Sequence, residues 1–318
     1  MNINRIEDVR PAPDTQVTLK RCGNVYEIRY MHSTPNPAIE KLDRDTYIDL
    51  RTGEIKSITH STSRKSDLAS VAQSLRNLRD LINSNLTDPD SALWVTFTYA
   101  ENMRDTKQLY EDFRRFWLRF RYYLDKQDRP AAEYIIAAEP QGRGAWHLHG
   151  LFIFPEKAPF IPNGEMEQLW RQGFTKTKSL SEISNPGLYL TAYLGDMEIT
   201  EALTSGITRG RLAETNEQDG KKKAVIKGAR LHFYPVGFHL YRASRGVKRP
   251  VTYQLTEAEA QMMVKGLPLA YEKTISITDE SGSVRNIINY RQYNRAVTQK
   301  QENAEAKTSC GEKEEQVL

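Results

Sequence analysis

Apolar positions along the chain change period several times, and each change marks an element. From Leu68 they fall at Val71, Ala72, Leu75, Leu78 and Ile82, the spacing of one helix face, with Ser66 placed as its cap. The segment TDPDS at 87–91 breaks this helix, and ALWVTFTYA then reads as a strand. Leu109, Phe113, Phe116, Trp117 and Phe120 return to helical spacing, and that helix stops before Asp128-Arg129-Pro130. Two apolar runs follow, YIIAA ahead of Glu139 and WHLHGLFIF from Trp146, joined by PQGRGA. A Pro- and Gly-containing connection between such runs predicts a hairpin. Its second strand is apolar on both faces, which places it near the centre of a sheet.

Later segments are shorter. Gly164 to Gly173 suggests a short helix, and Asn185-Pro186 opens a helix read over 186–203. Residues 204–227 are polar and read as a mobile excursion, after which ARLHFYP and FHLYRAS resume β-type patterning. A helix at TEAEAQMMVKGL and a hairpin at ISITDESGSVRNIINY complete the pattern. The first 65 residues are polar and turn-rich, with one hairpin at TYIDLRTGEIKSI turning at Arg51-Thr52-Gly53. This order predicts an α+β fold, a mostly antiparallel sheet covered by helices. It divides the chain into an N-terminal accessory region (1–85), a core domain (86–255), a C-terminal accessory region (256–298) and a disordered tail (299–318).

Composition narrows the class. Hydrophobic content of 39% and charged content of 27% fit a soluble globular protein. No apolar run is long enough to span a bilayer, the start MNINRIEDVR lacks the apolar core of a signal peptide, and there are two cysteines, Cys22 and Cys310. A cytoplasmic location is expected. The net charge of +4 is mild, but its distribution is uneven. Between Gly220 and Pro250 stand Lys221, Lys222, Lys223, Lys227, Arg230, Arg242, Arg245, Lys248 and Arg249, with no Asp or Glu. Such a stripe suits a phosphate backbone.

The hairpin carries the candidate chemistry. His147 and His149 are two apart on a strand, so both imidazoles emerge on one face. A lone buried histidine is most often a hydrogen-bonded core residue. Here, if Glu139 pairs opposite His147, a carboxylate joins two imidazoles on one sheet face. With two distant cysteines, zinc–thiolate chemistry is disfavoured, and the donor set suits Mn²⁺ or Mg²⁺ with open positions. Tyr189 and Tyr193, one helical turn apart, share a face of the following helix. A phenolate there could act as a nucleophile toward a phosphodiester.

The order of a VTFTY strand, a histidine–hydrophobic–histidine strand with an upstream glutamate, and a downstream tyrosine helix resembles the HUH endonucleases. Within them it is most similar to the replication initiators of rolling-circle plasmids and of filamentous or isometric phages, the phage gene II type. The resemblance covers roughly residues 90 to 250, including GARLHFYPVGFHLYRASRGVKRP. It implies a ferredoxin-like-derived, five-stranded antiparallel sheet with a central metal-binding strand. It implies nicking of single-stranded origin DNA through a 5′-phosphotyrosine, a free 3′-OH that primes rolling-circle replication, and later rejoining. Tyr189 would attack first and Tyr193 second, with host helicase and polymerase as further partners and no membrane. Many members carry a lysine three residues after the tyrosine, whereas this chain has Ala192 and Asp196 at those positions. Lys248 or Arg249 could supply that charge. Two other readings are a relaxase- or transposase-type nickase and a non-catalytic DNA-binding protein on the same fold.

Overall fold

The computed structural model describes residues 2–33, 39–50, 52–58, 68–180, 183, 185–207, 212–216, 222–235 and 237–296. In chain order the strands β1 to β6 are Asn2–Ile6, Gln16–Cys22, Val25–Met31, Ile39–Lys41, Thr46–Asp49 and Ile55–Ser57. Helix α1 (Leu68–Asn85), β7 (Ala92–Phe97), α2 (Thr106–Lys126), β8 (Glu133–Pro140), β9 (Trp146–Ile153) and α3 (Asn163–Trp170) follow. Then come β10 (Thr175–Lys178), α4 (Pro186–Gly195), β11 (Met197–Glu198), α5 (Ile199–Thr204), β12 (Leu212–Asn216), β13 (Lys222–Ile226) and β14 (Tyr241–Ala243). The chain closes with β15 (Val251–Thr256), α6 (Glu257–Met263), β16 (Leu269–Thr278) and β17 (Val284–Asn294). The result is a mixed α+β fold with antiparallel sheets and six helices among the described residues. None of those helices is long and apolar enough to cross a membrane.

The chain divides into two compact units, one of residues 1–61 with 250–318 and one of residues 62–249. In the first, N- and C-terminal strands share a six-stranded sheet, ordered β1-β16-β17-β3-β2-β15. Sequence reading assigned these stretches to separate accessory regions, because pairing partners far apart in the chain leave no local signal. Helix α6 packs on this sheet through a capping box at Thr256 and Glu259, and Glu257 grips the fully buried Arg291 with both oxygens.

In the second unit, five antiparallel strands are ordered β10-β7-β9-β8-β14, so β9 is central. Leu148 and Phe152 point toward α2, where Phe113, Phe116 and Phe120 bury with Phe97. Each fully buried phenylalanine contributes about 1.5–3 kcal/mol. Leu151, on the opposite face, packs with Leu78, Leu81 and Ile82 of α1 and Leu190 and Leu194 of α4. Burial on both faces explains the unbroken apolar run of β9.

Three local expectations change. The helix read over 186–203 ends at Gly195; Asp196 is extended, and Met197 and Glu198 pair with Ile226 and Val225 before α5 begins. The polar stretch read as a mobile excursion supplies β12 and β13, whose hairpin completes a three-stranded sheet with β11. ARLHFYP is not a strand: Ala229–Phe233 forms a short 3-10 turn entered through Gly228 at φ 71°. The Ser66 cap, Lys221 and the tail from Gln299 lie outside the described residues, as do the side chains of Lys222, Lys223 and Tyr193.

Candidate active site

Strand register decides what β8 and β9 bring together. Glu139 pairs opposite His147, and Ala137 opposite His149. Glu139 and His149 are both buried, and His149 Nε2 meets Glu139 Oε2 at 2.7 Å. The His149 ring is held on two more sides: Thr96 Oγ1 lies 3.2 Å from Nδ1, and Trp94 stacks on it at 5.3 Å between centroids. Both supports come from β7, which pairs Thr96 with His149. A hydrogen bond at the second ring nitrogen is what orients a histidine that ligates a metal.

The other carboxylate oxygen, Glu139 Oε1, faces Arg230 Nη2 at 3.2 Å. Burial alone would push the Glu139 carboxyl up, but His149, then Arg230 and His147, outweigh it and hold it below its ordinary value. His147 is half-buried, and burial holds its imidazole below the usual histidine range despite Glu139 opposite. The donor chemistry therefore suits a hard divalent ion: one ionised carboxylate and a neutral imidazole opposite it. In this geometry only Glu139 and His149 meet. Among the described residues no three His, Cys, Asp or Glu side chains converge to hold a metal.

Arg230 was grouped with the surface stripe by sequence, but it is 6% exposed and faces inward. Its Nε donates to Asp196 O at 3.1 Å, Nη1 to Pro140 O at 2.9 Å and Glu201 Oε1 at 3.2 Å, and Nη2 to Glu201 Oε2 at 2.9 Å. With Glu139 these contacts match all five guanidinium N–H groups. Burial opposes its charge, while Glu139 and Glu201 raise its affinity for the proton. Tyr234 makes a parallel tie, its hydroxyl within 2.9 Å of Ala138 O and 3.1 Å of Leu194 O. Arg230 and Tyr234 thus join both neighbours of Glu139 to the C-terminal end of α4. Neither role was visible in sequence, because the 3-10 turn that aims them has no periodic signature.

Helix α4, which carries both tyrosines, is seated at its other end by α1. Asn185 caps it by accepting from Leu188 N at 3.0 Å, and Asn83 Oδ1 accepts from Gly187 N at 2.8 Å. A Cβ on Gly187 would stand 2.4 Å from the Arg79 carbonyl oxygen, so only glycine allows this approach. Tyr189 is half-buried against the cluster containing Trp94, Leu151 and Leu190, on the sheet face that also carries His149. Tyr193 follows one turn later in the same helix. Asp196, at the position of the expected lysine, ion-pairs with Lys227 and accepts from Gly228 N at 3.0 Å.

The remaining stripe residues separate from this interior. Arg242, Arg245, Lys248 and Arg249 are exposed at or beyond β14. Sequence reading singled them out only by charge.

Residues 92–198 match the model of a family of replication-associated proteins, described as the ORF2 and phage gene II protein type. The match is consistent with a rolling-circle replication initiator, and it ends before Arg230 and β14. No curated protein and no solved structure matches the chain.

Proposed function

We propose that this chain is a replication initiator of the HUH type, nicking single-stranded origin DNA by transfer to a tyrosine. The observation that carries the reading is the extent of the family match, which takes in Glu139, His147, His149, Tyr189 and Tyr193 together. Glu139 and the two histidines would hold Mn²⁺ or Mg²⁺, with His147 turning toward the carboxylate it faces across the hairpin. The ion would supply Lewis-acid polarisation of a phosphodiester oxygen. Tyr189 attacks phosphorus; a Tyr189 Oη–P bond forms as the P–O3′ bond breaks, and the freed 3′ oxygen gains a proton as the phenol loses one. Trp94 and Thr96 keep the His149 ring in place, and Arg230 keeps Glu139 ionised. Tyr193 attacks in a second transfer that rejoins the displaced strand. The free 3′-OH primes synthesis for a host polymerase, with a helicase opening the duplex ahead.

A second reading, DNA binding without cleavage, draws support from Glu139, whose two oxygens already face His149 and Arg230. The two readings separate in one assay. Labelled single-stranded oligonucleotides carrying origin sequence are incubated with Mn²⁺ and the chain, then resolved under denaturing conditions. The nickase reading expects a covalent adduct that chelator abolishes and Tyr189→Phe removes. An adduct surviving in the Tyr189→Phe, Tyr193→Phe double variant defeats the tyrosine mechanism, and binding with no cleavage by the unaltered chain supports the second reading.

A further inference from the structure

The terminal strand β14 borders a groove of about 770 Å³. Tyr134, Phe238 and Tyr241 form part of its wall, and Arg242, Arg245 and Arg249 supply three cations, with no Asp or Glu among its lining residues. Ser74 and Asn77 of α1 add hydrogen-bonding groups. Arg245 and Arg249 are exposed and form no ion pair with a described residue. Aromatic faces beside unpaired cations match a strand whose bases are free to stack and whose phosphates need neutralising. A duplex, with its bases stacked on one another, cannot use the aromatic wall.

The walls are fixed before any ligand arrives. Tyr110 donates to His239 O at 2.6 Å, and its ring lies 3.6 Å beneath the Arg242 guanidinium. Ser244 Oγ accepts from Tyr134 N at 2.8 Å, prolonging the β8–β14 pairing. Asn85 accepts from Lys248 N at 2.7 Å and donates to its carbonyl at 2.8 Å, anchoring the segment between Arg245 and Arg249. Such preorganisation lowers the ordering cost of binding. The groove also leads to the site: Tyr241 pairs with Ala137, and Ala137 with His149, so they are two strand spacings apart, about 10 Å.

We infer that this groove binds single-stranded nucleic acid, holding the segment that flanks the phosphate brought to Glu139 and His149. Which strand is bound rests on the proposed nicking function; binding itself does not. Arginines on an edge strand also deter edge-to-edge pairing, which is the competing explanation.

Fluorescence anisotropy with the full chain tests the inference. The probes are labelled oligo-dT, an abasic oligonucleotide of equal length and the corresponding duplex. The unaltered chain should bind oligo-dT more tightly than either of the others. Arg245→Ala with Arg249→Ala should weaken oligo-dT binding about tenfold at moderate salt and flatten the dependence of log K on log salt by about 1.4, two phosphate contacts. Unchanged affinity and salt slope in the double variant, with or without new self-association, would overturn the groove, as would equal binding of abasic and dT probes. Adduct formation at saturating oligonucleotide is scored on the same samples. Adducts with a failed groove test remove only this inference; groove binding without adducts removes only the nickase reading.

Discussion

Two arginines twelve residues apart, Arg230 and Arg242, belong to one basic stretch yet occupy opposite environments. Arg230 is buried with all its N–H groups matched by protein acceptors, two of them carboxylates. Arg242 is exposed, stacked over Tyr110 at the sheet edge. The first has no donor left for a phosphate and serves to hold Glu139 and α4; the second keeps its donors facing a groove. Charge in a sequence thus says little about role until burial and partners are known.

Substitution should separate the two regions first by stability. Arg230→Met leaves Glu139 and Glu201 without their cation and should cost about 3–5 kcal/mol in urea unfolding, as broken buried pairs do. Arg242→Ala, at an exposed position, should stay within about 0.5 kcal/mol. Equal midpoints for the two variants would erase the distinction. The interior also predicts a direction with pH. The Glu139 carboxyl is held below its ordinary value, so its contribution is complete above the unfolded value of about 4.3 and is lost as pH falls through the folded one. Glu139→Gln should therefore flatten the acid side of the stability profile, and an unchanged slope would place the acid sensitivity elsewhere.

A smaller effect concerns the seat of the tyrosine helix. Gly187→Ala sets a methyl against the Arg79 carbonyl and should destabilise by about 1–3 kcal/mol through the shift it forces. Adduct formation should fall in this variant while anisotropy with oligo-dT stays unchanged; loss of both would mean that α4 and the groove are not separable. The smallest effect is expected at Lys227, whose pair with Asp196 is largely solvent-facing, its side chain 42% exposed. Lys227→Ala should cost about 0–1 kcal/mol by thermal melting. A larger loss would bring Lys227 into the interior network.

Much of the hairpin was legible before any coordinates. Period-2 patterning with a turn between two apolar runs gave β8, β9 and the Glu139–His147 register, because alternation leaves few alternatives once both strands are buried. The central position of β9 followed from its lack of a polar face. Helix spacing gave α1 and α2 for a similar reason. What stayed hidden depends on distant partners. Asp196 ends α4 because Gly228 and Lys227 bind its side chain and β13 pairs with the residues after it, none of which is local. Arg230 resembled a surface cation because nothing nearby in the chain announces Glu139 and Glu201. The strands of the first 31 residues were missed because their partners β15, β16 and β17 stand at the other end of the sequence.

The central claim, that the tyrosine helix attacks a phosphate held at the Glu139–His149 strand pair, is tested most directly by finding the covalently modified residue. After reaction with single-stranded origin DNA and Mn²⁺, nuclease trimming and proteolysis, mass spectrometry should locate a nucleotide 5′-phosphate on Tyr189 and, at lower yield, on Tyr193. A phosphonucleotide on any residue outside α4, or none despite bound DNA and metal, would contradict the account.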